Sequence, residues 1–237
     1  MTRPHLRRVL VRTPLAHATL AARAARVRRR RARGLRVGVA RLDDVRVINL
    51  EDRAQRLAGF REEMRRLQIT GVSRFEAIPD SSGIRGCTLS HAAVMREMAL
   101  RDQDCIMVCE DDARFAVGRD QLDALVDAFL DDEDAEVACL AYWHRTAFPR
   151  NRLYMRTTRS FTTACYLVKS SIAADLEATW EEGARQLGAG GDREVYGLDH
   201  IWGRLQQTRV FLIPIVRAVR QAPGYSDIWE EYVDQHF

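Results

Sequence analysis

Lysine is nearly missing from this 237-residue chain: of 37 basic residues, only Lys169 is not arginine. That skew is a compositional bias without functional content. Long hydrophobic runs are missing too. No uninterrupted apolar stretch approaches the ~18 residues that a bilayer span needs. Arginines interrupt every short apolar segment near the N-terminus, so no clean signal peptide is expected either. The five cysteines, Cys87, Cys105, Cys109, Cys139 and Cys165, include no Cys-x-x-Cys pair. An odd number of thiols, mostly in apolar runs, argues against a disulfide framework or a zinc site. Buried free thiols in a reducing compartment, and hence a cytoplasmic location, are the expectation. The chain has no Gly-x-x-x-x-Gly-Lys-Ser/Thr string, which removes the P-loop class, and no internal repeat.

Acidic residues are missing from one region. Residues 1–41 hold 13 arginines and no Asp or Glu, which leaves 24 basic against 33 acidic residues in the remainder, a balance of −9 beneath an overall +4. The pI near 9.0 therefore describes a basic arm on an acidic body. A body without a basic surplus argues against nucleic acid as a partner. Pro14 divides the arm into two Arg-rich segments, and VRRRRARG closes the second. Such a block is expected to be disordered, or to lie as a basic amphipathic helix on an anionic membrane surface. In the second case the protein would sit peripherally at the inner face of the membrane. Leu6, Val9, Leu10, Leu15, Leu20 and Val27 give the arm a weak apolar stripe. Residues 1–41 are thus set apart from a single domain at 42–237.

The body opens with VRVINL (45–50), which reads as a strand. EDRAQRLAGFREEMRRLQI follows, with Arg53, Leu57, Phe60, Met64 and Leu67 at mostly three- and four-residue spacing. This is an amphipathic helix, with Asp52 as its expected cap and Gly71 as its end. RFEAI (74–78) is a second strand, and a β-α-β opening implies a parallel sheet with a right-handed crossover. The loop PDSSGIRG leads into a helix, CTLSHAAVMREMALRD. Residues 119–131 form another amphipathic helix, with Leu122, Leu125, Val126 and Phe129 inward. EVACLAYW (136–143) is a strand, and HRTAFPRNRLYMRTTRS a basic, aromatic-bearing loop or hairpin near the site. FTTACYLVK (161–169) is a strand, SSIAADLEATWEEGARQL a capped helix, LDHIWGRLQQ a short helix and VFLIPIV a strand.

One stretch organises the rest. CIMVCEDDARF (105–115) is a short apolar run rich in β-formers that stops on three acids, Glu110, Asp111 and Asp112. It reads as a buried strand. Three clustered carboxylates repel one another, and each prefers water or a cation. A hard divalent ion, Mg2+ or Mn2+, at the strand's carboxyl end resolves the conflict. That end is also where open α/β sheets bind ligands. The alternative is a solvated acidic turn.

The strings VINLEDRAQRL, FEAI, GCTLSHAAVMREMAL and IMVCEDDARF, in that order, resemble glycosyltransferase family 25. That family includes bacterial lipopolysaccharide and lipooligosaccharide glycosyltransferases and the collagen galactosyltransferases. TTACYLVKSSIAADL, Asp199, Pro214, and the Gln221 to Ser226-Asp227-Ile228 ending extend the resemblance over 44–228. It implies an α/β, GT-A-like nucleotide-sugar-binding fold with a mostly parallel central sheet flanked by helices. It also implies a metal on the sugar-nucleotide diphosphate and inverting transfer to a glycan or glycolipid acceptor such as lipopolysaccharide. UDP-galactose is the first donor to try.

With that resemblance, Asp112 is assigned as the main metal ligand, and Glu110 as a second ligand or a ribose contact. Asp111 alternates away along the strand and reads as structural. Asn49 and Arg53 close the first strand and open the first helix, where phosphates or base could bind; Arg56 reads rather as part of a solvated face. Gly86, Ser90 and His91 precede the acidic strand as donor contacts, with a packed, satisfied histidine as the alternative for His91. Asp199 is the candidate base, or else a helix cap, with His200 a weaker alternative. Gln221, Ser226 and Asp227 fall late, where the donor pocket would be completed. Two other functions remain open: a non-catalytic sugar- or protein-binding domain, and a metal-dependent phosphoryl-transfer enzyme.

Overall fold

The computed structural model describes residues 13–226 and 231–233. Its helices are α1 (Thr13–Ala32), α2 (Ala54–Arg66), α3 (Gly83–Leu100), α4 (Arg119–Leu130), α5 (Ala173–Gly188), α6 (Arg193–Tyr196) and α7 (Leu198–Ile201). Eight strands form the main sheet: β1 (Asp44–Asn49), β2 (Val72–Glu76), β3 (Cys105–Glu110), β5 (Val137–Cys139), β6 (Trp143–Pro149), β7 (Tyr154–Phe161), β8 (Cys165–Lys169) and β9 (Phe211–Pro214). The order is β2-β1-β3-β8-β5-β9-β7-β6. β1 is parallel to β2 and β3, and β5 to β9, whereas β8 is antiparallel to β3 and β5, and β7 to β9 and β6. Following those directions across the sheet, only β7 and β8 oppose the other six. The sheet is mostly parallel and flanked by helices, as the GT-A-like expectation required. Two short ribbons are added: β4 (Ala113–Phe115) with β10 (Val219–Gln221), and β11 (Gly224–Ser226) with β12 (Glu231–Val233).

β3 is apolar from Cys105 to Cys109 because both faces are covered. Cys105, Met107 and Cys109 enter the core shared with α1, α2 and α4, while Ile106 and Val108 enter the core packed around α3 and α5. Buried on both sides, the strand meets water only at its ends, and its carboxyl end carries the acids.

Several local expectations shift. Asp52 does not cap α2: Arg53 is the N-cap, without a side-chain bond. The helix stops at Arg66, with Gln68 in the left-handed region (φ 55°) before Gly71. β2 starts at Val72, two residues early, and α3 at Gly83, inside the expected loop. α5 follows a 3-10 turn at Ser170–Ile172, and its N-cap Ile172 offers no capping side chain. The basic stretch 144–160 is a hairpin, β6–β7. The expected strand 161–169 is divided: Phe161 ends β7, Cys165 opens β8, and between them Thr162 takes φ 69°.

The described part of the arm is ordered against the body, which its like charge did not foretell. α1 buries Ala16, Leu20, Ala24 and Val27, and its arginines meet the acids of α4. Arg28 and Arg31 bond Asp120, Arg31 also bonds Asp123, and Arg30 bonds Asp127. Asp123 and Asp127 further accept the backbone N–H groups of Val39 and Gly38, each at 2.8 Å. Gly38 has φ 54°, and any side chain there would overlap Asp123, so only glycine fits this turn. Residues 1–12, with Leu6, Val9 and Leu10, lie outside the described residues.

Candidate active site

Four segments converge at the carboxyl end of β3. The acids come from β3 and the turn after it, and β10 reaches them by pairing with β4. Gln221 lies opposite Ala113, and the Ala222 N–H donates to the Asp112 carbonyl at 2.7 Å. Gln221 Nε2 thereby comes within 3.5 Å of Asp112 Oδ2. The strand break at 162–164 supplies the third segment. The Thr163 hydroxyl donates to Glu110 Oε1 at 2.8 Å, and the Thr162 hydroxyl donates to Gln221 Oε1 at 3.3 Å. The start of α7 is the fourth: Asp199 Oδ2 accepts the Thr162 N–H at 3.1 Å. Thr162 thus joins the candidate base to the residue beside the candidate metal ligand. A β-branched residue at positive φ is strained, by an amount on the order of 1–3 kcal/mol, and such strain clusters at functional sites. The Thr162–Thr163 pair opens the TTACYLVKSSIAADL string of the resemblance, but the sequence alone assigns neither residue a role. Its role depends on that backbone conformation and on partners 37 to 59 residues away.

The two outer acids differ. Burial raises the Glu110 carboxyl, but the approach of His91, the Thr163 hydroxyl and the Arg56 charge outweigh it and hold it below its ordinary value. Burial also raises Asp112, and repulsion from Glu110 and Asp111 adds to it; Arg56 and Gln221 offset only part, leaving Asp112 at about 7. Asp111 is raised by burial, against Arg56 and Asn49. It is tied down by Asn49 Nδ2 at 2.7 Å and Arg56 Nε at 2.7 Å, the structural position read from the sequence. Arg56 also bonds Asp112 Oδ2 at 2.8 Å, so its expected solvated face gives way to a cation lodged between two acids.

Two buried atoms here make no hydrogen bond: Asp112 Oδ1 and His91 Nε2. A buried carboxylate oxygen without a partner costs about 1–3 kcal/mol or more, and a cation coordinated there would remove the cost. Asp112, with Oδ2 held by Arg56 and Gln221 and Oδ1 unpartnered, and Glu110 are both oxygen donors, the ligand type of a hard divalent ion such as Mg2+ or Mn2+. Among the described residues, Cys87, His91 and Glu110 also bring three ligand atoms within 4.8 Å of one another.

The remaining expected residues are placed behind this cluster. His91 is fully buried, with Nδ1 2.9 Å from the Tyr166 hydroxyl, its ring against Tyr166 and Trp180, and Nε2 3.5 Å from Glu110 Oε1. It backs the acid. Gly86 lets α3 approach the 78–80 loop: a Cβ there would lie 2.7 Å from the Ile78 carbonyl. The Ser90 hydroxyl donates to the Gly86 carbonyl at 2.8 Å and accepts the Ile78 N–H at 2.9 Å. Asn49 is buried, with its amide engaged by Asp111, the Arg53 carbonyl and Arg74. Arg53 is half-buried at the start of α2, 3.8 Å from Asp52. Burial raises the Asp199 carboxyl, as does Glu110; the Thr162 N–H and His200 oppose it. The Ser226 backbone closes β11, but its side chain and the whole of Asp227 lie outside what is described. The β6–β7 hairpin reaches the site at its base, where Trp143 packs on Phe161 and Phe161 on His200.

Residues 79–187 match the sequence model of glycosyltransferase family 25 (LPS biosynthesis protein). This span holds α3, the acids of β3 and Thr162–Thr163, and is narrower than the 44–228 over which the motifs resemble the family. Comparison with curated proteins finds no match. Among solved structures, the chain is similar to a glycosyltransferase involved in glycosylation of the major capsid of PBCV-1, at 9% identity and TM-score 0.45, over 72% of this chain and 81% of that one. It is also similar to mouse xyloside xylosyltransferase 1, at 14% identity and TM-score 0.37, over 79% and 76%. A third is the mannose-1-phosphate geranyltransferase from Thermus thermophilus, at 12% identity and TM-score 0.41, over 74% and 74%. These likenesses are too remote to bear on mechanism.

Proposed function

We propose that the protein is a glycosyltransferase that uses the region matching the family 25 model, residues 79–187, to move a sugar from a nucleotide diphosphate onto a cell-surface glycan or glycolipid, by metal-dependent inverting transfer. UDP-galactose is the first donor to try, and lipopolysaccharide the first acceptor class. The observation that carries this reading is the linked array Glu110–Thr163, Asp112–Gln221–Thr162–Asp199, with Asp112 Oδ1 buried and unpartnered.

Asp112 and Glu110 would hold the divalent ion, whose contribution is to neutralise charge on the leaving diphosphate. Arg56, in contact with Asp111 and Asp112, is the side chain available to turn toward the phosphates as the acids take up a cation. Asp199 would take the proton of the acceptor hydroxyl at its carboxylate. Its raised affinity for a proton brings it nearer the working pH, where a general base is most effective. The Thr162 N–H holds the other task, fixing the direction of that carboxylate. An inverting displacement needs base and leaving group on opposite faces of the sugar, a reading supported by Asp199 lying on a different segment from the acids that would hold the leaving diphosphate. The exposed basic face of α1, Arg23, Arg26 and Arg29, continued by Arg33 just after it, supports an anionic membrane surface as a neighbour of a glycolipid acceptor. Among the described residues no helix is long and apolar enough to cross a membrane.

Screening nucleotide sugars for hydrolysis or transfer with Mn2+ and with chelator tests this function. Metal-dependent turnover of one donor is expected. Absence of turnover with metal-independent sugar binding would favour a non-catalytic role.

A further inference from the structure

The reaction above leaves Cys87 without a task. Its thiol lies on α3 one turn before His91, and Glu110 faces both from β3, with the three ligand atoms within 4.8 Å of one another. Spacing along the chain argued against zinc, since no Cys-x-x-Cys pair is present, but the fold supplies a third ligand from a different element. We infer that Cys87, His91 and Glu110 form a second cation site, for a thiophilic divalent ion of the zinc type, distinct from the oxygen-lined Asp112 position but sharing Glu110 with it.

Several observations support such an ion. His91 is fully buried, and its Nε2 makes no hydrogen bond. It lies 3.5 Å from Glu110 Oε1, close to the ~3.3–3.4 Å edge of a tetrahedron whose nitrogen and oxygen ligands sit about 2.0–2.1 Å from zinc. Nδ1 is engaged by the Tyr166 hydroxyl at 2.9 Å, the outer partner that fixes the ring of a metal-binding histidine. Cys87 is half-buried, unlike the other four cysteines, which are buried. A thiolate and an imidazole select zinc-like ions over magnesium or manganese. Loading exchanges the thiol proton for the metal: S–H gives S–metal, and one proton leaves to solvent.

Glu110 cannot serve both positions fully, so a thiophilic ion here would oppose the Mn2+-dependent transfer. That consequence rests on the proposed function, whereas binding itself does not. The test is therefore a binding measurement: Co2+ titrated into the reduced, nucleotide-free full chain. One cobalt per chain, with thiolate-to-cobalt charge-transfer absorption that zinc bleaches, is expected. Cys87→Ser and Cys87→Ala should lose the absorption and weaken zinc at least ~10-fold while keeping the wild-type circular dichroism and unfolding midpoint. Asp112→Asn should retain the absorption. No absorption in the wild type, or absorption that survives in both Cys87 variants, overturns the site. Loss in Asp112→Asn also overturns it, by moving the ion to the donor position.

Discussion

Asp112 and Asp199 are carboxylates with different surroundings, and substituting each should have different effects. In Asp112→Asn the metal ligand is lost, so metal-dependent turnover should vanish while the fold persists. The metal-free variant should also gain stability. The wild-type carboxyl binds its proton more tightly folded, at about 7, than unfolded, near 3.9. It therefore costs nothing below that lower value, and its penalty grows as pH rises toward 7. Urea unfolding with chelator should show Asp112→Asn more stable than wild type by ~1–3 kcal/mol at pH 8, with the gap closing toward pH 4. A pH-independent difference would mean that burial of the charge is not the cause. For Asp199→Asn, removal of a general base predicts turnover lower by about 10²–10⁴, with UDP and Mn2+ binding retained. Calorimetry beside a transfer assay separates the outcomes: joint loss of binding would move Asp199 to the donor pocket, and unchanged turnover would leave it a structural residue at the start of α7.

Among the elements, α1 is the one whose placement was least legible. Its apolar stripe was visible in Leu20 and Val27, yet Leu15 on the same stripe is 62% exposed. The helix is seated by its buried face, Ala16, Leu20, Ala24 and Val27, and oriented by charge: Asp120, Asp123 and Asp127 on α4 lie about ninety positions away in sequence, a pairing that periodicity cannot reveal. Leu20→Ala, at a fully buried position, should destabilise the whole domain by about 2–4 kcal/mol, read by denaturant unfolding. A helix independent of the body would leave the midpoint unmoved. The β1-α2-β2 opening and β3 were legible because burial imposes its own period. The β6–β7 hairpin was only half legible, because its arginines and threonines follow no clean alternation on a partly exposed edge. Asn49, Gly86 and Ser90 read as donor contacts in the sequence; they lie at the end of β1 and in the first turns of α3, where the Asn49 amide is spent on Asp111, Arg74 and backbone and the Ser90 hydroxyl on backbone. Sequence type identifies a polar group; only the fold shows which partner it has.

Across the whole molecule, the charge asymmetry resolves into two faces of one helix. The inner arginines of α1 neutralise α4, and the outer ones, Arg23, Arg26 and Arg29, with Arg33 just after the helix, remain exposed. Basic residues near an anionic bilayer contribute roughly 1 kcal/mol each, screened by salt. Replacing Arg26, Arg29 and Arg33 by Glu should reduce co-sedimentation with phosphatidylserine vesicles at low salt without moving the unfolding midpoint. Equal sedimentation would remove this face as an anchor.

The central claim is that the acids at the end of β3 bind a nucleotide sugar through a divalent ion, and calorimetric titration of UDP tests it most directly. The account predicts binding by the wild-type chain with Mn2+, none with chelator, and none by Asp112→Asn under either condition. Equal UDP binding by wild type and Asp112→Asn, unaffected by chelator, would contradict it.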